Sequence, residues 1–526
     1  MAGGTYDFVV LGGGHNGLLS SIYLAKAGFS VCVLEANDEF GGGTRSEEIA
    51  PGFIADTGGM VHNLISRTPI VREDELQLFS KYGLEYKYAE SLCCSIFPNE
   101  EHLILYKDFD KTCEQIAKFS ERDAEKYREW GKYLAKVLPA ASVGAMGAVP
   151  PYGAMMNIMS MSPEGREFIR IMNSSAQQIV EEWFESEELR VTLTRWCTEM
   201  MIDPRQVGTA TLLAFTASLH DPNNPGAPFP VGGCVNFVKA LTDCASDYGV
   251  DLFLNQEVNK IAVEGSEAKR VRTKAGDEFV AKNAIVSTIN VRDIYEYLGD
   301  DAPAEEKAYV AKLKYSDFVP LNQAFALKKV PEFKTGNEVL DSFCIEFAPE
   351  EKEYLRVFSS YLLGGFSPEL PLITMPCLWD KTRAPEGCSV VNIYSYAPWN
   401  LDGDWHNWET RGDELKLQLW EFFKSRTTNI TDDDLVAKWG KTPLEYQDWN
   451  LCFKNGDIAQ MGLQPSQMYD FRPLPGRGHD YHGDIENLYY IGGCAHPGAA
   501  IAAGARTGIQ KVLEDFDVDF REMMKK

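Results

Sequence analysis

The chain has 526 residues, 44% hydrophobic and 24% charged, with 51 basic against 77 acidic residues and a formal net charge of −26. That length holds more than one packed unit, and the acidic balance excludes nucleic acid as a partner and electrostatic docking on anionic lipid. No apolar run reaches the ~18 residues of a spanning helix. Met1 leads almost directly into a strand with no basic leader, so a cytoplasmic location is expected. Twelve cysteines are scattered without a C-x-x-C pair and read as buried thiols, neither a disulfide frame nor a zinc site.

Residues 8–11 are a short, valine-rich run that reads as a buried strand. It runs into Gly12, Gly14 and Gly17 at the G-x-G-x-x-G spacing. Gly12 permits the tight turn, Gly14 lets backbone N–H groups approach a pyrophosphate, and Gly17 lets the next helix pack closely on the sheet. Residues 16–27 carry Leu18, Leu19, Ile22 and Ala25 near one face, and Gly28 closes that helix. Residues 30–34 read as a second strand, with Glu35 at its end to hold a ribose hydroxyl pair. This order predicts a dinucleotide-binding α/β unit. The cluster Gly41-Gly42-Gly43, with Thr44 and Arg45, lies outside a nicotinamide fingerprint and suits a longer ligand that folds back along the protein, as FAD does. Arg45 has two readings, a contact to the pyrophosphate or flavin edge and a loop residue in a surface ion pair.

Asp56-Thr57-Gly58-Gly59 follows, with His62 beyond. Residues 70–225 are predicted mostly helical, with amphipathic stretches at 72–82 and 108–137 and a further helix at 181–201. The small, Met-rich stretch 138–161 around Pro150-Pro151 reads as a flexible buried connection, in preference to a substrate channel or a membrane-touching loop. A proline-rich boundary spans 218–230. Gly232-Gly233 then open a helix and allow close approach of backbone to a ligand. Residues 251–288 divide into short strands separated by Gly265-Ser266 and Ala275-Gly276, a meander inserted in the dinucleotide unit. Seven of the ten tryptophans lie between Trp379 and Trp449. Strand-like runs at 321–327, 370–378 and 389–396 there predict a mixed sheet that floors a substrate pocket under the 76–225 helices. Most of those aromatics are assigned to the core, a subset to an apolar cavity.

G-x-G-x-x-G, Glu35, Gly41-Gly42 and Asp56-x-Gly58 together resemble the flavin-containing amine oxidase and phytoene desaturase superfamily. Leu488-Tyr489-Tyr490-Ile491-Gly492-Gly493-Cys494-Ala495-His496-Pro497-Gly498 resembles the C-terminal flavin motif of its carotenoid desaturase and isomerase branch. GGGHNG at 12–17 with Ile49-Ala50-Pro51-Gly52-Phe53 is similar to the phytoene dehydrogenase-related proteins. The resemblance implies an α/β fold with an α+β substrate domain. A Rossmann-type FAD-binding domain is expected from the discontinuous segments 1–75, 226–300 and 471–526, a helical cap from 76–225, and a mixed-sheet substrate domain from 301–470. It implies non-covalent FAD held by Gly12, Gly14, His15, Asn16, Gly17, Glu35, Ala36, Gly41, Gly42, Thr44, Arg45, Gly59, Met60, Gly493, Cys494 and Gly504. By resemblance Val258 meets the adenine through its backbone; a half-buried strand valine is its other reading. Cys494 lacks the S-G-G-C-Y context of a covalent link. Residues 497–516 read as a last helix whose positive end faces the flavin and stabilises charge on its reduced form.

The implied reaction is hydride transfer between flavin N5 and a carbon of an apolar, unsaturated, carotenoid- or isoprenoid-like substrate. Desaturation, saturation and double-bond isomerisation stay open, as do the acceptor (oxygen, quinone or NAD(P)H) and the oligomeric state. His496 and His62 are the candidates for proton handling, His496 being otherwise a turn histidine bonded to backbone. Asp56 and Arg506 are expected to order the flavin site. Two alternatives stand beside this: a flavin amine oxidase using oxygen, and a non-redox lipid-binding escort of the GDP-dissociation-inhibitor type. The intact glycine fingerprint, Glu35 and the C-terminal motif speak against the escort.

Overall fold

The computed structural model describes residues 3–146, 149–213, 216, 219, 220, 226–498 and 504–525. Two seven-stranded sheets organise them. In the first, five strands run parallel in the order Leu488–Tyr490, Glu278–Ser287, Gly3–Leu11, Val31–Leu34 and Asp251–Phe253. Residues 8–11 and 31–34 are buried throughout, as continuous apolar runs must be in a parallel sheet covered on both faces. The helices His15–Lys26, Val235–Asp247 and Gly504–Asp515 supply that cover and share its core. Glu278–Ser287 serves twice. Its last residues pair with Leu488–Tyr490, and its first residues begin an antiparallel meander through Glu267–Thr273 and Val258–Glu264. After the turn at Ala275-Gly276 one long strand follows, paired along its length with Gly3–Leu11.

The second sheet has the order Leu435–Lys441, Val319–Leu327, Ser389–Ala397, Leu372–Thr374, Ser342–Phe347, Ser91–Ile96 and His102–Tyr106. Only Ser342–Phe347 and Ser91–Ile96 are parallel neighbours. Because side chains alternate along a strand, Ile345, Ile373 and Ile393 share one face, packed with Phe423. Cys344 and Leu372 face the other way and pack with Phe168, Ile179 and Leu193 of a helical layer.

Several expectations need correction. The 76–225 region is helical only from Phe109 onward; Tyr86–Ala89, Ser91–Ile96 and His102–Tyr106 are strands. Their short apolar runs fit a half- or fully buried strand better than a helix. Residues 72–82 form turns, not a helix, because Asp74 takes a φ of 50° and its carboxylate accepts from the N–H groups of Phe79 and Ser80. The helix expected at 181–201 breaks into Ala176–Trp183 and Glu187–Cys197, where Asp123 captures the N–H groups of Glu185 and Ser186. Of the seven clustered tryptophans only Trp408 and Trp420 are buried; the other five are half-buried, since so large a side chain is rarely enclosed completely. Part of the 138–161 stretch, part of the 218–230 boundary and the start of the helix expected at 497 lie outside the described residues. Among the described residues no helix is long and apolar enough to cross a membrane, and no cluster of His, Cys, Asp or Glu fits a metal.

Candidate functional site: a dinucleotide cradle

The carboxyl ends of Gly3–Leu11, Val31–Leu34 and Glu278–Ser287 open into a cleft of about 820 Å³. Ligands of open α/β sheets sit at this end. Gly12 leaves the first strand at a φ of 94°, a conformation that favours glycine. A Cβ on Gly17 would stand 1.9 Å from the Gly12 carbonyl oxygen, so helix and strand approach too closely for any side chain. Gly14 is different. A Cβ there would meet no protein atom closer than 3.7 Å, and the residue lines the cleft. Gly14 is also the N-cap of His15–Lys26 and supplies no side-chain cap, so the first turn presents N–H groups and a positive dipole to the cleft.

Glu35 is buried at the end of the second strand. One oxygen accepts from the Gly13 N–H at 2.7 Å, and the other accepts from the Asn37 backbone and side-chain nitrogens at 3.0 Å each. An ionised carboxylate has about four acceptor positions. Three are taken, which leaves capacity for a ribose hydroxyl. His15, Asn16, Ala36, Gly42 and the meander residue Val258 also line the cleft. Gly41 donates its N–H to the Gly13 carbonyl at 3.0 Å, and the Thr44 hydroxyl meets His15 Nδ1 at 3.1 Å, so the second glycine cluster closes over the first.

Other expected residues lie farther off. Arg45 takes its ion-pair reading: it meets Glu39 at 2.7 Å and lies 5.0 Å over the Trp449 ring. Gly59 donates to the Gly43 carbonyl, and Met60 Sδ accepts from the Thr374 hydroxyl at 2.9 Å, carrying this loop to the face of the second sheet. His62 is corrected as a proton handler. It is fully buried, with Nδ1 2.5 Å from the Tyr86 hydroxyl and Nε2 3.5 Å from Cys234 Sγ, and burial pushes its pKa down to about 3. His496 is buried in the C-terminal motif, its ring 6.4 Å from that of Tyr469. Cys494 accepts from the Val291 N–H and donates to Gln460, and burial raises its thiol, which suits a structural cysteine and a non-covalent cofactor. A Cβ on Gly493 would meet Gln460 at 2.8 Å, and one on Gly504 would meet Pro497 at 3.4 Å.

Asp56 and Arg506 do not touch the cleft. Arg506 pairs with Glu75, which also accepts from Tyr23. Asp56 belongs to a buried clamp. Arg383 reaches Asp56 at 2.5 Å, Asp380 at 3.0 Å and the Pro230 carbonyl at 2.6 Å, while Asp56 accepts from Ser46 and the Cys234 N–H. Burial would raise Asp380, but hydrogen bonds from Thr382 and the Gly232 N–H, and the Arg383 guanidinium, outweigh it and hold that carboxyl below its ordinary range. The glycines at 232–233 therefore serve this clamp: a Cβ on Gly233 would strike Ser46 at 2.5 Å.

Thr288, Gln256 and Gln460 also line the cleft. Thr288 directly follows a strand of the parallel sheet, and that position marks it. Arg472 has no such local signal. Its buried guanidinium donates to the carbonyls of Gly493, Gly462, Gln467 and Met461, placing a cation against the C-terminal glycine motif.

Residues 10–73 match the family model of the NAD(P)-binding Rossmann-like domain. Over its full length the chain is similar to pyridine nucleotide-disulfide oxidoreductase domain-containing protein 2 of Rattus norvegicus, 24% identical over 97% of this chain and 94% of that protein. It is equally similar to the lycopene-forming phytoene desaturase of Pseudescherichia vulneris, 25% identical over 96% of this chain and 99% of the other. Among solved structures, an oxidoreductase from Methanosarcina mazei superposes with a TM-score of 0.62 at 17% identity, covering 96% of this chain and 99% of that one.

Proposed function

From a Rossmann-like cradle in a full-length homologue of phytoene desaturase, we propose an FAD-dependent oxidoreductase acting on an apolar, unsaturated, isoprenoid-like substrate. The observation that carries the reading is the contrast between Gly17 and Gly14: a Cβ on the first would strike the Gly12 carbonyl oxygen, whereas the second lines the cleft and would hold a Cβ 3.7 Å from the nearest protein atom. FAD, when bound, supplies the two-electron acceptor or donor for a carbon–carbon bond. The chain's own work is to hold and surround it. The first turn of His15–Lys26 takes the pyrophosphate, Glu35 the ribose, and Val258 lies where the adenine is expected. Arg472 adds a buried positive charge behind Gly493, which favours negative charge on the reduced cofactor.

The second sheet forms the substrate floor in this reading, and Met60 links it to the cradle. The working domain map stays 1–75, 226–300 and 471–526 for the cofactor, 76–225 for the cap and 301–470 for the floor. His496 stays a candidate proton handler. A reducing compartment such as the cytoplasm is supported by twelve free cysteines, ten of them buried. The acceptor, and the choice among desaturation, saturation and isomerisation, fall to experiment.

The test is direct. The purified protein should be yellow and release FAD on denaturation. Gly14→Val should fold with the melting temperature of flavin-free wild-type protein and carry no flavin. A colourless wild-type protein that cannot be loaded with FAD refutes the reading. Rapid reoxidation of the reduced protein by oxygen alone, with peroxide released on an amine panel, replaces it with an amine oxidase.

A further inference from the structure

The face of the second sheet that meets the helical layer carries buried polar side chains with no partner. Glu346 is fully buried, and neither carboxyl oxygen has a hydrogen bond. Ser95 stands directly opposite it across the parallel pair, also fully buried, its hydroxyl unbonded. Asn392 is 7% exposed, and both ends of its amide are unbonded. The register places all three on one face. Glu346 aligns with Leu372 and Tyr394, and Asn392, two residues from Tyr394, aligns with Thr374 and through it with Cys344. Ile345, Ile373 and Ile393 between them point the other way. The nearby cation, Arg195, donates through its two terminal nitrogens to Thr198, Glu199, Tyr396 and the Leu370 carbonyl, while its buried Nε has no hydrogen bond and its charge acts on Glu346 from a distance.

Leaving such groups without hydrogen bonds is costly. A buried hydroxyl or amide without a partner costs roughly 1–3 kcal/mol, and a carboxyl more. Native proteins leave few of them, and each calls for a cause. Burial pushes the Glu346 carboxyl up to about 8, against the pull of Arg195, so at neutral pH it is an acid that can both donate and accept. Thr374, aligned beside Asn392, already holds Met60 of the loop that leads from the cradle. The loop through Met60 thus touches the same face of the sheet as the polar row.

We propose that Glu346 and Ser95, side by side across the parallel pair, form a polar seat for an oxygen function, a hydroxyl or carbonyl, on an otherwise apolar substrate, with Asn392, two strands away, a second polar contact on the same face. The seat rests on the oxidoreductase reading above and narrows its substrate class: a terpenoid alcohol, aldehyde or ketone is preferred to the parent hydrocarbon. An apolar cavity alone discriminates weakly, whereas a site built to hydrogen-bond a substrate group rejects an analogue that lacks it.

FAD-loaded protein is titrated with geraniol, farnesol and geranylgeraniol, with their aldehydes, and with the hydrocarbons myrcene and β-farnesene, following tryptophan fluorescence. At one chain length an oxygenated member should bind at least about tenfold tighter than its hydrocarbon; alcohol against aldehyde tells which oxygen function is seated. Glu346→Leu should bring the oxygenated probe to the hydrocarbon level with flavin content unchanged, and Glu346→Gln should retain part of the preference. Asn392→Leu and Ser95→Ala, read separately, should each reduce it. Equal binding of both series by the wild type, no binding of either, or a preference that survives Glu346→Leu and Asn392→Leu overturns the seat, leaving these groups to buried water. Protein that takes up no FAD overturns the oxidoreductase reading instead, and the flavin spectrum separates the two failures.

Discussion

Along the end of the first sheet, Gly12, Gly14 and Gly42 present backbone to the cleft, and a Cβ on Gly14 would meet no protein atom closer than 3.7 Å. On the face of the second sheet, Glu346 and Asn392 are buried with polar atoms that no protein group hydrogen-bonds. In the proposed reading each surface takes a ligand, but for a different reason. The cradle is open because atoms are missing, and main-chain N–H groups at a helix start lose little when solvated. The floor is unsatisfied because polar atoms are present in a place water reaches poorly, and this costs stability until something is bound. A cofactor held by backbone suits permanent residence; a seat built of side chains suits specificity.

The sharpest way to break this contrast is within the cradle. Gly17→Ala places a Cβ on the Gly12 carbonyl oxygen, and should destabilise the protein by about 3 kcal/mol or more. Urea denaturation and flavin content should fail together. Gly14→Val should lose flavin alone, and if both variants behave alike the division between fold and ligand is wrong. Arg383→Met removes the cation between two buried aspartates, Asp56 and Asp380. A loss of about 3–5 kcal/mol is expected in denaturant melts, partly recovered by adding Asp380→Asn. Because Asp380 is held below its ordinary range, its contribution to wild-type stability is present above the unfolded carboxylate pKa and fades as pH falls through the folded one; this acid sensitivity should weaken in Arg383→Met. Glu35→Ala should weaken FAD binding by about 1.5–3 kcal/mol, roughly ten- to a hundredfold in Kd by fluorescence quenching, and should also lower the Tm, because the Gly13 and Asn37 N–H groups lose their acceptor.

The smallest effect lies on the floor. The Glu346 carboxyl is raised in the folded protein to about 8. The native state therefore holds a proton that the unfolded state releases at about 4.5. Stability from this group is full below the unfolded value and falls as pH rises toward the folded one. The groups around it are Arg195, Glu199, Cys93 and Cys344, of which Arg195 opposes the shift and Glu199 adds to it. Glu346→Gln should flatten the Tm profile between about pH 5 and 8 by a few degrees; an unchanged slope assigns the pH response elsewhere.

What was legible in the sequence follows the same divide. A cradle made of absent side chains needs glycines at fixed spacing, so Gly12, Gly14, Gly17 and Glu35 were readable, and the parallel strands around them as well. The clamp and the floor use side chains from strands and loops far apart in sequence. Asp56 meets Arg383 across 327 positions, and Glu346 and Asn392 each stand at one alternate position of a strand whose neighbours look like ordinary sheet. No local period marks them. His62 misled because its place beside a glycine motif suggested chemistry, whereas Tyr86, Cys234 and Phe237 enclose it.

The central strand Gly3–Leu11 has Val31–Leu34 on one side and Glu278–Ser287 on the other. During synthesis its first neighbour arrives almost at once, but its second emerges about 270 residues later, roughly 13–50 s at ordinary translation rates. Throughout that interval one edge of this strand, with its apolar run at residues 8–11, is unpaired, a template for aggregation. Leu488–Tyr490, which extends the sheet beyond Glu278–Ser287, comes only near the end of the chain. The cradle therefore cannot be completed on the ribosome before nearly the whole polypeptide is made, and expression should depend on chaperone supply and on flavin available at release.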